Sequence, residues 1–78
     1  MTTPYVISIA LTARQQIKAL PQKRRRLIIK LVEALAVNPR PPGTRKIEGM
    51  IGLYSETIGA HRLVYKIEDQ TVLILLVK

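Results

Sequence analysis

The stretch 53–67 constrains the fold most, because it contains two β-prone segments on either side of a short turn. Gly59-Ala60 separates the segments, and glycine readily adopts the backbone conformations that a two-residue hairpin turn needs. A turn of this length pairs the flanking residues in a fixed register, which places Thr57 opposite Arg62. The sequence therefore predicts an antiparallel hairpin around which the rest of the chain has to pack.

The second strand of this hairpin alternates between apolar and basic side chains. Successive side chains of a strand point to opposite faces of the sheet. One face carries His61, Leu63, Tyr65 and Ile67, and the other carries Arg62, Val64 and Lys66. We expect the first face to belong to the core. On the second face, a cation held by a rigid sheet would meet an anion such as phosphate with little reorganisation, which singles out Arg62.

Charge narrows the classes of partner. The 78 residues include thirteen Lys and Arg against five Asp and Glu, which gives a formal net charge of +8. A field of this sign favours nucleic acid, an anionic membrane or an acidic protein, and it does not choose among them. Three tyrosines are the only aromatic residues. That number argues against a platform of stacking rings for single-stranded nucleic acid.

Cysteine is absent, so neither a disulfide framework nor a thiolate metal site is available, which is compatible with a reducing cytoplasm. One histidine and five scattered acidic residues form no ligand cluster. We therefore predict no metal and no other cofactor. No apolar run reaches the roughly 18 residues that span a bilayer. The expectation is a cytoplasmic protein without a membrane partner.

The remaining segments predict one α+β domain over residues 1–78. Tyr5–Ile9 is β-prone, and a capping-box spacing that begins at Thr12 predicts a short helix. Apolar residues at helical spacing predict a longer helix over Gln22–Val37. The run Thr71–Lys78 is apolar without alternation, as expected for a strand that lies centrally in a sheet or has one face covered by a partner. We predict a helical hairpin packed on a small, mainly antiparallel sheet, in the order β-α-α-β-β-β.

The longer helix begins with the densest charge run of the chain, Lys23-Arg24-Arg25-Arg26. Cations in a first turn oppose the positive end of the helix dipole, at about a few tenths of a kcal/mol each, which hints at a use elsewhere. Arg24 and Arg25 are candidate RNA-binding residues, and a solvated helix end is the alternative. The apolar face predicted for this helix comprises Leu27, Ile28, Leu31, Val32 and Leu35.

Five short motifs follow one another between residues 37 and 65. They are Val37-Asn38-Pro39-Arg40-Pro41-Pro42-Gly43, Lys46-Ile47-Glu48-Gly49, Gly52-Leu53-Tyr54, Ile58-Gly59 and His61-Arg62-Leu63-Val64-Tyr65. This ordered set resembles the RelE/ParE superfamily of bacterial type II toxins, and the match spans nearly the whole chain. The resemblance implies a compact α/β domain and a cognate acidic antitoxin that wraps and neutralises it. For RelE-like members it further implies a ribosome-dependent endoribonuclease, an mRNA interferase that cuts mRNA in the ribosomal A site without a metal.

The resemblance also assigns site residues. Arg62 matches the strand arginine of the family, and we take it as the candidate catalytic residue, because a guanidinium stays protonated and can contact two phosphate oxygens at once. Lys46 matches a basic position ahead of the hairpin. Arg45 and Lys66 are further RNA-binding candidates, inferred only from their proximity and face.

Two departures from the family pattern leave the target open. RelE-like proteins usually carry two basic residues after the tyrosine, where this chain has Ser55 and Thr57 on the face of Arg62. The family also commonly continues past the last strand into a segment with a catalytic Arg and Tyr, and this sequence ends at Lys78. A weakened mRNA endonuclease is the favoured hypothesis. A ParE-like inhibitor of DNA gyrase and a catalytically silent binding module derived from a toxin are the alternatives.

No replacement for the missing proton-transfer groups is evident. Alternation places Tyr54 and Tyr65 on the face opposite Arg62, which predicts two core aromatic residues. His61 can change charge near neutral pH, but it lies on the same face as the tyrosines, beside the turn. The sequence predicts phosphate binding by Arg62 without naming the group that moves the proton.

Overall fold

The computed structural model describes residues 4–78, so residues 1–3 of the predicted domain lie outside the described residues. Two helices and five strands follow in the order β-α-α-β-β-β-β, which is one strand more than predicted because a two-residue strand precedes the hairpin. The elements are β1 (Val6–Ile9), α1 (Leu11–Lys18), α2 (Gln22–Val37), β2 (Arg45–Lys46), β3 (Leu53–Ile58), β4 (His61–Glu68) and β5 (Thr71–Val77).

The strands form one sheet in the order β1-β5-β4-β3-β2. β1 pairs with β5 in parallel, and the other three pairings are antiparallel. This arrangement confirms the predicted α+β class and the interior position of β5. The hairpin has the predicted register, with Thr57 paired to Arg62 and Gly59 at φ 58 in the turn between the strands.

Both helices pack on one face of the sheet. The buried apolar residues are Ala13, Ile17, Ile28, Val32, Leu35, Leu63, Tyr65, Val72, Ile74 and Val77. On α2 the buried stripe is narrower than predicted, because Ile28, Val32 and Leu35 fill it at intervals of four and three residues. Leu27 lies about 100° around the helix from Ile28 and is 51% exposed. The prediction that Leu27 belongs to the core face was wrong.

The start of α1 also differs from the prediction. The helix begins at Leu11 after the N-cap Ala10, and no side chain caps it. The backbone N–H of Ala10 donates to the carbonyl of Ile74 on β5 at 2.9 Å. This bond to the sheet fixes where the strand β1 ends and the helix starts, so Thr12 lies inside the first turn and not at the cap.

The alternating burial along β5 changes phase near its end, because the register of the strand shifts. Val64 pairs with Leu76 and the next residue, Tyr65, pairs with Ile74, which leaves Leu75 as the extra residue of a bulge. Buried side chains therefore occur at Ile74 and again at Val77, three residues later. No helix in residues 4–78 is long and apolar enough to cross a membrane.

Candidate functional site

The sheet face turned away from the helices carries three of the six predicted site residues, Arg45, Arg62 and Lys66. We call it the open face and define it by the residues of β2 to β5 that share the side of Arg62. Cross-strand pairing assigns to it Arg45, Leu53, Ser55, Thr57, Arg62, Val64, Lys66, Glu68, Thr71, Leu73, Leu76 and Lys78. Paired residues of adjacent strands point to the same face, so four cations share this surface.

Arg62 lies between two polar neighbours on the open face. Thr57 of β3 is its partner on one side, and Lys78 is its partner on the other. The N–H of Arg62 donates to the carbonyl of Lys78 at 3.1 Å, and the N–H of Lys78 donates back to the carbonyl of Arg62 at 2.9 Å. The side chains of Arg62 and Lys78 are both exposed. Sequence reasoning missed Lys78, because the bulge in β5 hides its register.

Arg62 and Arg45 line the same pocket, which has a volume of about 390 Å³. Arg45 reaches it from the edge strand β2, where it pairs with Ser55. The other lining residues are Gly43, Ser55, Glu56 and Thr57. Within residues 4–78 the one ion pair joins Lys66 and Glu68, so neither arginine of this pocket forms an ion pair with Glu56 or with any other carboxylate of the described residues. The pocket can therefore receive an anion between two guanidinium groups.

Lys66 and Lys46 lie apart from this pocket. Lys66 is on the open face, but four residues along β4 from Arg62, which corresponds to about 13 Å. Its ammonium lies 3.8 Å from a carboxylate oxygen of Glu68. Lys46 pairs with Tyr54, so it points to the helix side of the sheet, where it lines a second pocket with Gly49, Met50 and Ile51. The structure does not bring Lys46 together with Arg62.

The two arginines predicted on α2 differ from each other. Arg24 is exposed and remains an RNA-binding prediction. Arg25 donates through Nη2 to the carbonyls of Lys18 and Leu20, both at 3.1 Å. These carbonyls belong to the end of α1, where backbone acceptors lack helical partners. Arg25 thus links α2 to the end of α1 by hydrogen bonds, and its guanidinium does not lie on the open face.

Tyr54 and Tyr65 lie on the helix side of the sheet, as alternation predicts. Their ring centroids lie 6.0 Å apart in a stacked arrangement. The Tyr65 hydroxyl donates to the carbonyl of Pro39 at 2.7 Å, and burial raises the pKa of Tyr65. The guanidinium of Arg40 lies over the Tyr54 ring, 5.3 Å from its centroid, and Nε donates to the Tyr54 hydroxyl at 3.2 Å. These contacts attach the segment before β2 to the sheet.

His61 is also held by the backbone. Its Nδ1 lies 3.1 Å from the carbonyl oxygen of Lys78, which can only accept, so Nδ1 carries the hydrogen. Nε2 is buried without a hydrogen-bond partner within the described part of the chain. His61 thus orients the end of β5 near Arg62, and nothing places its ring in the pocket.

The chemistry available to the pocket is therefore charge stabilisation by two arginines. In residues 4–78 no group of three or more His, Cys, Asp or Glu side chains could hold a metal ion. Guanidinium groups fixed on strands suit an anion whose charge increases during a reaction, because they need little reorganisation to meet it.

Comparisons with known proteins agree with this fold. Comparison with curated protein sequences finds no significant relative. Among solved structures, the chain is similar to a chain of the archaeal RelE-RelB complex from Pyrococcus horikoshii OT3, with a TM-score of 0.86 and 25% identity over 99% of this chain and 94% of that chain. It is also similar to a chain of the toxin-antitoxin complex RelBE2 from Mycobacterium tuberculosis, with a TM-score of 0.83 and 28% identity over 96% of each chain. For the YoeB dimer from Staphylococcus aureus the TM-score is 0.80 and the identity 25%, over 96% of this chain and 95% of that chain.

A family model matches nearly the whole sequence. Its description is the ParE toxin of the type II toxin-antitoxin system parDE, and the match covers residues 7–78. It includes both helices, all of the sheet except Val6, and every residue of the pocket. The chain therefore belongs to the ParE toxin family of type II toxin-antitoxin systems, within the RelE/ParE superfamily.

Proposed function

We propose that this toxin is an mRNA endonuclease that acts on the ribosome, with Arg62 as its main phosphate ligand. The observation that carries the proposal is the shared pocket of Arg62 and Arg45, with Lys78 paired to Arg62 on the same face. Three cations at one end of a rigid sheet can hold the phosphate groups of an extended RNA strand. The similarity to RelE structures at 25% identity or above supports the same assignment.

The reaction that fits such a site is attack of an RNA 2′-hydroxyl on the adjacent phosphate. Negative charge accumulates on the phosphoryl oxygens as the 2′-oxygen approaches phosphorus. Arg62 can contact two of these oxygens at once, and a preorganised charge contact of this kind lowers the activation barrier by about 3 kcal/mol. Arg45 lies across the pocket and can hold a neighbouring phosphate in position.

The uncharged open-face residues predict a slow enzyme. Ser55 and Thr57 line the pocket and supply hydroxyl groups where a cation would stabilise charge more strongly. Each missing charge contact lowers the rate on the order of a hundredfold. The ribosome already orients the bound mRNA, and this orientation can offset part of the loss in cleavage rate. We therefore expect cleavage of ribosome-bound mRNA and none of naked RNA.

Primer extension on translated mRNA tests this proposal. The toxin should produce cuts in the A-site codon, and the same RNA without ribosomes should remain intact. Cleavage of naked RNA at a similar rate would contradict the role given to the ribosome. An intact message in both reactions would contradict the endonuclease assignment itself.

We also propose that a small acidic antitoxin binds this chain. Charge complementarity to a net charge of +8 supports it. Apolar side chains such as Leu11, Leu27 and Val37 are 71%, 51% and 77% exposed on the helix side, and a partner helix could cover them. Co-expression with the adjacent open reading frame, followed by size exclusion, should yield one complex. If the two proteins elute separately at both low and high salt, they form no complex, and the proposal of an acidic antitoxin is contradicted.

Inhibition of DNA gyrase is the second candidate, and the description of the matching family favours it. A toxin that binds gyrase as a protein needs no nuclease site, and the uncharged Ser55 and Thr57 are consistent with that role. A supercoiling assay distinguishes the two. Blocked supercoiling with intact mRNA would support inhibition of gyrase. If the protein neither blocks supercoiling nor cleaves mRNA, a catalytically silent binding module is the remaining hypothesis.

A further inference from the structure

The open face carries apolar side chains beside the phosphate pocket. In an antiparallel sheet with one face turned to solvent, that face usually carries polar residues. Here its middle is aliphatic, and none of these side chains belongs to the core or packs against it among the described residues. All of them are partly exposed. We call this set the aliphatic patch and define it as Leu53, Val64, Leu73, Leu75 and Leu76.

The bulge in β5 widens the aliphatic patch. Leu75 and Leu76 stand opposite the single residue Val64. Both leucines are partly exposed, although the residues on either side of them, Ile74 and Val77, are buried. A bulge redirects side chains in this way, and bulges are common next to active sites. β5 therefore presents two consecutive leucines outside the core, where a regular strand would present one.

The same bulge brings a cation to the border of the patch. Without the extra residue, the register of β5 would place Val77 opposite Arg62. With it, Lys78 takes this position and exchanges both backbone hydrogen bonds with Arg62. Val64 is two residues from Arg62 on the same face of β4, which corresponds to about 7 Å. The aliphatic patch thus begins directly beside two cations.

A third cation borders the other end of the patch. Lys66 is the next open-face residue of β4 after Val64. It pairs with Leu53 on one side and Leu73 on the other. Its contact with Glu68 is 3.8 Å long and joins two exposed groups, and pairs of this kind stabilise little. The Lys66 ammonium can therefore turn to a phosphate.

Along β4 the open face thus reads cation, aliphatic side chain, cation. Single-stranded RNA has a matching composition, because charged phosphates alternate with nucleosides whose bases have apolar faces. An apolar segment of a protein would match the patch but leave the three cations at its borders without a counter-charge. Complementarity in charge and polarity together therefore favours RNA as the occupant.

We propose that the aliphatic patch is a nucleoside-binding subsite for the nucleotide next to the phosphate that Arg62 and Lys78 hold. The subsite rests on the RNA-binding part of the function proposed above. The base lies flat on Val64 and Leu76, and its position restricts the rotation of the RNA around the bound phosphate. Every base has an apolar face, so the subsite binds unstacked bases without reading their identity.

The contact is weaker than a stack on an aromatic ring. The three tyrosines lie in the core or pack against it, so aliphatic side chains supply the apolar surface of the open face. Val64 and Leu76 are positioning residues in this account, since they touch the base and not the reacting atoms. Their effect should appear in the binding of bases and not in the binding of phosphates.

Two oligonucleotides of equal length separate these effects. One is a 2′-O-methyl oligouridylate, which has no free 2′-hydroxyl to attack, and the other has sugars without bases. The parent toxin should bind the base-bearing strand about three- to tenfold more tightly. Leu76→Ser removes apolar contact area and should abolish most of this difference. Its salt dependence should equal that of the parent, because no phosphate contact is lost.

Val64→Thr covers the case in which Leu76→Ser does not fold. It keeps the β-branched shape and replaces one methyl group with a hydroxyl, and it should also reduce the difference between the two strands. The matched control is Ile29→Ser, which removes aliphatic surface from α2 at a side chain that is 44% exposed. This control should keep the full difference.

Equal binding of both strands by the parent, or the full difference in folded Leu76→Ser and Val64→Thr proteins, would overturn the subsite. Loss of binding to the product of the adjacent open reading frame in Leu76→Ser, with the difference between strands retained, would overturn it in favour of a protein partner. Primer extension on translated mRNA separates the subsite from the endonuclease. A-site cuts without base-dependent binding would overturn the subsite alone, whereas base-dependent binding without cuts would support the subsite and contradict the endonuclease.

Discussion

Arg62 and Lys78 exchange both backbone hydrogen bonds across β4 and the end of β5, at 3.1 and 2.9 Å, so two cations stand opposite each other on one face. Like charges in directly opposed positions destabilise a sheet. No acidic side chain separates them on the open face within residues 4–78. Both side chains are exposed on the open face, where the phosphate site proposed above would lie.

Lys78→Ala should weaken RNA binding without weakening the fold. Loss of one phosphate contact is expected to reduce the salt dependence of binding to a single-stranded oligonucleotide by about 0.7 in the slope of log K against log salt. The free energy of unfolding should stay the same or rise, because the repulsion with Arg62 disappears. Titrations at several salt concentrations measure the first effect, and urea denaturation measures the second.

Lys30→Ala is the control for Lys78→Ala. It removes the same charge from an exposed position on α2, away from the open face. If the two variants show the same salt slope, Lys78 makes no phosphate contact.

Arg25→Ala should destabilise the helical hairpin. The guanidinium donates to two carbonyls at the end of α1, and its loss leaves these acceptors without a protein partner. We expect the free energy of unfolding to fall by about 1–2 kcal/mol, as for hydrogen bonds from a charged donor at a partly exposed site. Arg24→Ala, at an exposed position, should change it by less than about 0.5 kcal/mol. Equal effects in urea denaturation would show that the contacts of Arg25 contribute nothing.

Tyr65→Phe should lower the free energy of unfolding by about 1–3 kcal/mol near neutral pH. It removes the hydrogen bond to the carbonyl of Pro39 at a fully buried position. Burial raises the pKa of Tyr65 above its usual value of 10.0. The neutral phenol is therefore favoured in the folded state, and its contribution is present below pH 10 and is lost as pH rises through the raised pKa. The stability advantage of the parent protein over Tyr65→Phe should shrink above pH 10. A stability difference that stays constant as the pH rises above 10 would contradict the burial of this hydroxyl.

Local patterns predicted the hairpin and the long helix. The two-residue turn at Gly59-Ala60 leaves one register for β3 and β4, and the observed pairing of Thr57 with Arg62 follows from it. Helical spacing predicted α2 with both its ends. In each case the signal lies within a few residues of the structure that it specifies.

The remainder of the site depends on contacts between distant segments. The bulge at Leu75 decides which residue faces Arg62, and no alternation in β5 reveals it. The face of Lys46 depends on the short strand β2, whose two residues show no period. The packing of α1 against α2 brings Arg25 to the end of α1, which a charge run cannot indicate.

Cleavage by Arg62 variants tests the central claim most directly. Primer extension on translated mRNA should detect A-site cuts with the parent toxin and with Arg26→Ala, an exposed cation on α2. Arg62→Lys keeps the charge but loses the paired contact to two phosphate oxygens, so it should cleave more slowly than the parent. Arg62→Ala should lower the rate by at least about a hundredfold, with an unchanged melting temperature. Cuts of parent intensity from a folded Arg62→Ala protein would contradict the claim that Arg62 binds the reacting phosphate.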